Sequence, residues 1–474
     1  MYYQINENII IRKEYFGGVV FDVEAYRNDA YSITEDFTID LLNLIELGLS
    51  TESIFDAMAH IYGSNIKTTV EQVLDEAERK NIILRVFLPP IQNYFNITEF
   101  INERKRVKGT QRLSAPIFVG LNMTFKCNQL CSFCYVKSEW KGKHADRLSF
   151  EEWKNLVDQL VKYKVPLVDI FGGEPFMWNH TIALVEYINT KPINCIISTN
   201  ATMVTEEIAI RLKQLNQKKL YVGISMEGYN EEDHDSIVKK KGAFGLLLRT
   251  VGYFKKYGIN FGINIVVTRQ TIGKLEELFH IISELGVPQL TLSYFHKEYE
   301  ELKESGEISI VEFHNAYKRI YELNERNGNK LILSREGPFL WFLSDKDKRG
   351  EEQILSLDSV CSMPQDSFGF AFAECQMGKS KMDFLPDGET VACVLLTDRD
   401  EYKIGTFPES TINDLWNSPR MERISKYTPI KAEPCKSCKF LNACKGGCFA
   451  YMLNRYGKPG YPDNRCPIVE RALM

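Results

Sequence analysis

The sequence lacks any long apolar segment and any strong excess of one charge. None of its apolar runs approaches the ~18–20 residues that a helix needs to cross a bilayer. Its first residues contain neither the basic nor the apolar region of a secretory signal. A net charge of −5 disfavours a general nucleic-acid-binding protein. These absences predict a cytoplasmic protein whose partners include neither a membrane nor a nucleic acid.

Internal repeats and low-complexity tracts are also missing, which argues against a solenoid and against a largely disordered chain. The composition, 44% hydrophobic and 26% charged, is ordinary for a globular protein. The length of 474 residues exceeds one ordinary core, so it predicts two to four domains.

Cysteine, in contrast, is abundant and unevenly placed among 12 positions. In a reducing compartment, clustered cysteines indicate metal binding or catalysis rather than disulfides. Cys195 stands alone in a predicted strand, where a small buried hydrophobic role is expected. Three cysteines form one group: Cys127, Cys131 and Cys134. The other eight lie in the last quarter of the chain: Cys361, Cys375, Cys393, Cys435, Cys438, Cys444, Cys448 and Cys466.

Residues 1–95 read as short strands followed by helices. The strand-like runs are 5–12, 18–23 and 30–33. The clearest helix covers 68–80, with a capping box formed by Thr68 and Glu71. The polar, basic stretch 96–114 is predicted to be a solvated linker.

Residues 115–300 alternate strands with helices, which predicts an α/β fold with a parallel sheet or barrel. The six predicted strands are 117–122, 167–171, 193–199, 220–225, 260–267 and 289–294. Six such units would form an incomplete barrel, with its active site at the carboxyl ends of the strands. Residues 301–360 are predicted to be a helical bridge. Residues 361–474 begin with a hairpin around Pro386-Asp387-Gly388.

The motif Cys127-x3-Cys131-x2-Cys134 follows the first strand of the predicted barrel. Three thiolates this close can hold a cluster of four irons and four sulfides and leave one iron open. A zinc site completed by His144 is the alternative that the residues themselves allow.

Polar groups follow the next three strands. Glycines let a ligand approach the backbone, and carboxylates, amides and hydroxyls bind ammonium and ribose groups. An ordinary β-turn or strand cap is the alternative in each case. The segments are Gly172-Gly173-Glu174-Pro175, Ser198-Thr199-Asn200 and Ser225-x-Glu227-Gly228.

The cysteine spacing resembles the signature of the radical S-adenosylmethionine (SAM) superfamily. The resemblance implies a partial (β/α)6 TIM barrel in which the open iron binds the amino and carboxylate groups of SAM. It implies that these residues contact SAM: Phe133 near the adenine, Gly172, Gly173 and Glu174 at the methionine amino group, and Ser198, Asn200, Ser225 and Glu227 at the ribose or carboxylate. Val238 departs from the family, which often has arginine there, and a lysine among 239–241 could replace it.

The C-terminal cysteines resemble the SPASM domain, which holds two auxiliary four-iron clusters. The resemblance implies an outer cluster on Cys435, Cys438, Cys444 and Cys466. It implies an inner cluster, nearer the barrel, on Cys375, Cys393 and Cys448, with Cys361 as the candidate fourth ligand. A zinc ribbon remains the alternative interpretation of these spacings.

The N-terminal module resembles the PqqD-like, winged-helix-like domain that recognises precursor peptides. The run Gly17-Gly18-Val19-Val20-Phe21-Asp22 and the order of three strands and three helices support the resemblance. It implies that a leader peptide adds as a strand to a sheet edge. A winged-helix DNA-binding domain is the alternative.

Together these resemblances imply a radical SAM maturase with three [4Fe-4S] clusters that acts on a ribosomally made precursor peptide. The expected product is a cysteine thioether crosslink, and a flavodoxin or ferredoxin-type protein is the expected electron donor. A carbon–carbon crosslink and oxidation to formylglycine are alternative reactions. A non-catalytic zinc or electron-carrier scaffold is the alternative from another class.

Overall fold

The computed structural model describes residues 2–25, 31–91, 93–109, 112–136, 143–295, 306, 308–336, 375, 377–426, 432–438, 441, 446–466 and 469. The chain divides into two compact units. The first comprises Met1–Ile117, Leu160–Pro166 and Thr190–Asn194, and the second comprises Phe118–Gln159, Leu167–Asn189 and Cys195–Met474. None of the helices in the described ranges is long and apolar enough to span a membrane.

The first unit contains two small antiparallel sheets and four helices. The strands are β1 (Tyr2–Ile5), β2 (Ile9–Glu14), β3 (Gly17–Asp22), β4 (Tyr31–Thr34) and β5 (Ile83–Val86). The helices are α1 (Asp36–Glu46), α2 (Thr51–Tyr62), α3 (Lys67–Arg79) and α4 (Ile97–Gly109). Strand β3 lies between β2 and β4, and β1 pairs with β5. The core of this unit includes Ile11, Val20 and Ile39, so apolar side chains of the three-stranded sheet and of α1 pack together.

Two local predictions for this unit are wrong. The predicted strand 5–12 is two strands, because the carbonyl of Asn6 accepts a hydrogen bond from Ile9 N and turns the chain. The predicted capping box of α3 does not form, since Ile66 is the N-cap and no side chain caps the helix. The apolar face of that helix is as predicted: Val70 and Leu74 are buried.

The stretch 96–114, predicted to be a solvated linker, contains helix α4. Its basic side chains are not simply solvated. Arg104 Nε lies 2.9 Å from the buried carboxylate of Asp40, and Lys108 pairs with Asp36. The positive charge of this helix therefore balances the acidic face of α1. The wider domain boundaries remain predictions.

The second unit is built on a ten-stranded sheet. Its strands are β6 (Phe118–Thr124), β7 (Leu167–Gly172), β8 (Asn194–Thr199), β9 (Leu220–Ser225), β10 (Phe261–Val267), β11 (Gln289–Tyr294), β12 (Ile332–Glu336), β13 (Lys381–Phe384), β14 (Glu389–Val391) and β15 (Lys403–Thr406). Strands β6 to β12 follow one another across the sheet in chain order. The six predicted barrel strands are present, and β12 adds a seventh from within the predicted bridge.

The helices of this unit connect the strands or follow them. They are α5 (Phe150–Lys162), α6 (Thr181–Asn189), α7 (Glu206–Lys213), α8 (Glu231–Val238), α9 (Ala243–Tyr257), α10 (Leu275–Glu284), α11 (Ile310–Arg326), α12 (Ile412–Trp416), α13 (Pro419–Ser425) and α14 (Phe449–Tyr456). The predicted hairpin forms, because β13 and β14 pair antiparallel. Its first strand also pairs in parallel with β6, from Lys381 beside Phe118 to Phe384 beside Leu121. The C-terminal hairpin therefore continues the central sheet.

Parallel strands end at one edge of a sheet, so the segments that follow β6, β7, β8 and β9 are brought together. These are the four segments in which the sequence places its cysteine triad and polar motifs.

Candidate functional site

The loop that carries the cysteine triad is held by backbone hydrogen bonds at its centre and by a side chain at its end. Leu130 N donates to Val238 O at 3.0 Å, and Ser132 N donates to Ile237 O at 3.1 Å. Tyr135 OH donates to the carbonyl of Gly172 at 3.3 Å. The last turn of α8 and the end of β7 therefore determine where the three thiols lie.

Position 238 has a role that the sequence did not reveal. Val238 is buried, and its carbonyl accepts the bond from Leu130. Lys239, the next residue, has a left-handed backbone conformation and ends the helix. The residue in place of the family's arginine therefore packs and supports the cysteine loop.

Gly172, the last residue of β7, and Gly173 lie directly against the start of the cysteine loop. Gly173 N donates to Thr124 O at 2.7 Å, and Glu174 N donates to Lys126 O at 2.8 Å. A Cβ atom at Gly172, where φ is 128°, would overlap Thr124 O, and one at Gly173 would overlap Lys126 O. Only glycine fits this contact between two backbone segments.

Glu174 is fully buried, and both of its carboxylate oxygens accept hydrogen bonds. Thr199 Oγ1 donates to one oxygen at 2.7 Å, and Asn200 N donates to the other at 2.8 Å. Burial raises the pKa of this carboxyl to about 7, although these bonds oppose the shift. The carboxylate thus joins the ends of β7 and β8, and the contact with the methionine amino group that the family resemblance assigned to it remains a prediction.

The end of β8 reaches the first cysteine. Asn200 Nδ2 lies 3.8 Å from Cys127 Sγ and donates to Asn128 Oδ1 at 2.9 Å. The exposed side chain of Ser198 donates to Asp169 at 3.3 Å, and its predicted contact with SAM remains a prediction. Sequence reasoning missed Asn128, although its place beside Cys127 was a usable signal.

Glu227, after β9, keeps one acceptor atom unused. Its Oε2 accepts from Val266 N at 3.1 Å, whereas its buried Oε1 has no hydrogen-bond partner among the described residues. Burial raises the pKa of Glu227 to about 8. Its charge acts on Cys131, so this atom belongs to the surroundings of the triad. An orphaned buried oxygen fits a ligand that brings a hydroxyl or amine.

His234 orients the backbone at Glu227, and no sequence motif indicated it. Its Nδ1 accepts from Glu227 N at 3.1 Å. Burial lowers the pKa of His234 to about 4, so the ring is neutral near pH 7. Ser225 and Phe133 are two other residues predicted to contact SAM, and each is partly exposed to solvent. Ser225 ends β9, and Phe133 lies in the cysteine loop.

The three thiols lie close enough to affect one another. Burial raises the pKa of Cys131, and Cys134 and Cys127 add to the shift. His144, the candidate fourth zinc ligand, contacts Asp387 through Nδ1 at 2.8 Å, and its buried Nε2 has no hydrogen-bond partner among the described residues. In the described ranges, no three Cys, His, Asp or Glu side chains converge on one metal position. A four-iron cluster takes its thiolates on separate irons, so three spread thiols fit it better than they fit one zinc ion.

The C-terminal cysteines form two spatial groups. Burial raises the pKa of Cys393, and Cys375 and Cys448 are among the charges that add to it. Burial likewise raises the pKa of Cys435 to about 12, with added effects of Cys466 and Cys438. The resemblance implied the same two sets, and their roles as inner and outer cluster ligands remain predictions. Cys361 and Cys444 lie outside the described residues.

Two family models match this chain. Residues 121–282 match the Radical SAM superfamily, and residues 375–439 match SPASM, an iron–sulfur cluster-binding domain. The first match covers β6 to α10, and the second begins at Cys375. The chain is therefore a radical SAM enzyme with a C-terminal SPASM domain.

Among curated proteins, the chain is 25% identical over 369 residues to Fe-coproporphyrin III synthase of Methanosarcina barkeri, covering 74% of this chain and 88% of that protein. It is 27% identical over 362 residues to the mycofactocin maturase MftC of Mycolicibacterium smegmatis, covering 75% and 83%. Among solved structures, Streptococcus suis SuiB bound to precursor peptide SuiA matches with a TM-score of 0.78 and 18% identity, covering 98% of this chain and all of that one. That likeness shows a shared fold over 98% of this chain.

Proposed function

We propose that this chain, which belongs to the radical SAM superfamily, modifies a ribosomally made precursor peptide by forming cysteine thioether crosslinks. The observation that carries the proposal is the fold likeness to a peptide-bound protein, which spans 98% of the chain and so includes the N-terminal unit. A peptide read partly by the N-terminal unit is the substrate that this likeness favours.

The triad Cys127, Cys131 and Cys134 would hold the SAM-binding cluster, and the inner and outer cysteine groups would hold the auxiliary clusters. When bound, these clusters supply one-electron chemistry: the cleavage of SAM to methionine and a 5′-deoxyadenosyl radical, and the uptake of an electron as product forms. A flavodoxin or ferredoxin-type protein in the cytoplasm would provide the first electron.

The chain's own groups would bind and orient SAM. Gly172 and Gly173 would hold the start of the triad loop against the end of β7, next to where SAM binds the cluster. The unused Oε1 of Glu227 would form a hydrogen bond with a ribose hydroxyl, which can both donate and accept. Glu174 and His234 would hold the strand ends that carry these groups.

A peptide C–H bond would give up a hydrogen atom to the radical that bound SAM supplies, and the by-product would be 5′-deoxyadenosine. A peptide cysteine would release its proton to solvent, and its thiolate would add to the carbon radical. The C–S bond would form as one electron leaves the peptide, and the auxiliary clusters would supply the electron acceptor. The peptide loses two hydrogens for each crosslink.

Mass spectrometry of the product tests the reaction. We expect each crosslink to remove two hydrogens and to protect one cysteine from iodoacetamide. A product that has lost the hydrogens but keeps every thiol alkylatable would exclude a thioether and indicate the carbon–carbon alternative. Conversion of a cysteine to formylglycine would indicate the other alternative.

The first unit would bind the leader. Among the described residues, β2 and β4 are the outer strands of its three-stranded sheet, and an exposed strand edge can accept an extended peptide. Deletion of residues 1–95 is expected to weaken binding of a synthetic leader at least tenfold, whereas slow uncoupled SAM cleavage survives. Equal leader affinity of the full-length and truncated chains would contradict this role.

A further inference from the structure

A buried ion pair lies beside one of the inner-group cysteines. Asp383 Oδ2 accepts a hydrogen bond from Val394 N, the residue after Cys393, at 2.8 Å. Its other oxygen lies 3.4 Å from Lys381 Nζ. Asp383 is fully buried, and Lys381 is about a quarter exposed (24%), so little water screens this pair.

Lys381 acts on the thiol as well as on the aspartate. Burial raises the pKa of Cys393, and among the charged neighbours Lys381 has the largest effect, in the opposite direction. Burial lowers the pKa of Lys381, but Asp383 and Cys393 outweigh it, and the net shift is upward. Through Asp383, the ammonium is joined to the backbone beside Cys393.

A second ion pair has the same arrangement at another cysteine of the group. Asp463 Oδ2 accepts from Cys448 N at 3.1 Å. Arg465 donates to both oxygens of Asp463, at 2.9 Å from Nε and 2.7 Å from NH2. Its guanidinium is buried and lies 3.6 Å from the centre of the Tyr451 ring. Through Asp463, this guanidinium is joined to the backbone of Cys448.

We propose that Lys381 and Arg465 are positioning residues that raise the reduction potential of the inner cluster. This inference rests on the proposed assignment of Cys375, Cys393 and Cys448 to one cluster. Reduction adds a negative charge, and a nearby buried cation stabilises the reduced form more than the oxidised form. Each aspartate fixes its cation and the cysteine backbone in one geometry. A cluster so placed is suited to accept the electron released when the crosslink forms.

The two members of one ion pair give opposite predictions. Lys381→Met removes the cation and should lower the potential of the inner cluster. Asp383→Asn removes the anion, keeps the shape and should raise it. Each shift should change the oxidised-to-reduced ratio at a fixed potential at least tenfold, which is about 59 mV for a one-electron couple. If the two substitutions only disturbed the local structure, they would not shift the reduction potential in opposite directions.

The measurement is an EPR-monitored redox titration of the reconstituted full-length chain. The signal that Cys448→Ala removes identifies the inner cluster. Lys381→Arg keeps the positive charge and should restore the potential toward the native value. Lys256→Met, which removes a lysine paired with Glu206 on helix α9, controls for the change in net charge and should leave the potential unchanged.

Shifts of the same sign in Lys381→Met and Asp383→Asn, or shifts below tenfold in both, would overturn the proposal. If Lys381→Met fails to retain its iron, Asp383→Asn decides: a rise in potential supports the proposal and an unchanged potential overturns it. The thioether proposal fails separately, through alkylatable thiols in the crosslinked product, and leaves these potentials interpretable.

Discussion

At the scale of single residues, the site contains side chains that hold its backbone in place as well as side chains that are expected to bind a ligand. Glu174 and His234 are buried and hydrogen-bonded within the protein. Glu227 combines both roles, because one carboxylate oxygen is held by Val266 N and the other has no partner in the described residues. Buried acceptors that are fully used rigidify a site, and an unused one marks where a ligand is expected.

Gly173 gives the sharpest test at this scale. In Gly173→Ala the new methyl would overlap the carbonyl of Lys126, which is backbone and cannot rotate away. We expect a loss of about 1–3 kcal/mol in the free energy of unfolding and at least a tenfold loss of SAM cleavage. Chemical denaturation and quantification of 5′-deoxyadenosine measure the two effects.

Gly252→Ala is the matched control. Gly252 lies on the exposed side of helix α9, and nothing lies within 4 Å of an added Cβ. Alanine should stabilise the helix by roughly 0.5–1 kcal/mol and leave SAM cleavage unchanged. Equal losses of SAM cleavage in the two variants would show that the contact at Gly173 has no special role.

At the scale of elements, α8 links the segment after β9, which carries Glu227, to the cysteine loop. Its last carbonyls, at Ile237 and Val238, bind the loop backbone. Its first turn is capped by Asn230, whose side chain accepts from Asp233 N at 2.8 Å. Helix formation is cooperative, and this helix has only about two turns. If its first turn unfolds, the last turn is therefore expected to lose its hydrogen bonds as well.

Asn230→Ala tests this connection. We expect it to reduce stability by about 1 kcal/mol and SAM cleavage several-fold. Thr205→Ala is the matched control, since Thr205 caps α7 by accepting from Ile208 N. It should cost similar stability and spare SAM cleavage. If both variants lose SAM cleavage to the same extent, α8 has no particular part in holding the cysteine loop.

The C-terminal hairpin is the second element with a functional consequence. Strand β13 pairs with β6 and also carries Lys381 and Asp383. The strand that leads into the triad loop and the strand beside the inner cysteine group are therefore neighbours in one sheet. A rigid sheet keeps the two groups at a constant separation, which suits electron transfer from a substrate between them.

At the scale of the whole molecule, the three cysteine groups predict three independent clusters. The reconstituted chain should contain about twelve irons and equal sulfide, since each four-iron cluster takes its own thiolates. Replacing Cys127, Cys131 and Cys134 together by alanine should remove about four irons and all reductive SAM cleavage with dithionite. Iron analysis and 5′-deoxyadenosine quantification test this.

Cys195→Ala is the control for that experiment. Cys195 is buried in β8, and burial raises the pKa of its thiol, as expected of a small core residue. The variant should keep its iron and its SAM cleavage. Persistent 5′-deoxyadenosine formation by the triple variant would contradict the assignment of the triad, and zinc in place of iron would indicate a scaffold.

The sequence alone determined the features that are local. The triad lies within eight residues, so its thiols are close together in any compact conformation. The barrel strands followed from short apolar runs, and the hairpin at Pro386-Asp387-Gly388 followed from turn chemistry. The prediction of a single strand over 5–12 was wrong because a turn at Asn6 interrupts this apolar run and divides it into two strands.

Only the tertiary structure decided the relations between distant segments. It placed Cys375, Cys393 and Cys448 in one group, and Lys381 and Arg465 beside two of these thiols. It also buried Glu174 between two strand ends and left one oxygen of Glu227 unused. Such relations depend on which strands pair and which loops pack together, and these are set by long-range burial and hydrogen bonding rather than by neighbours in the chain.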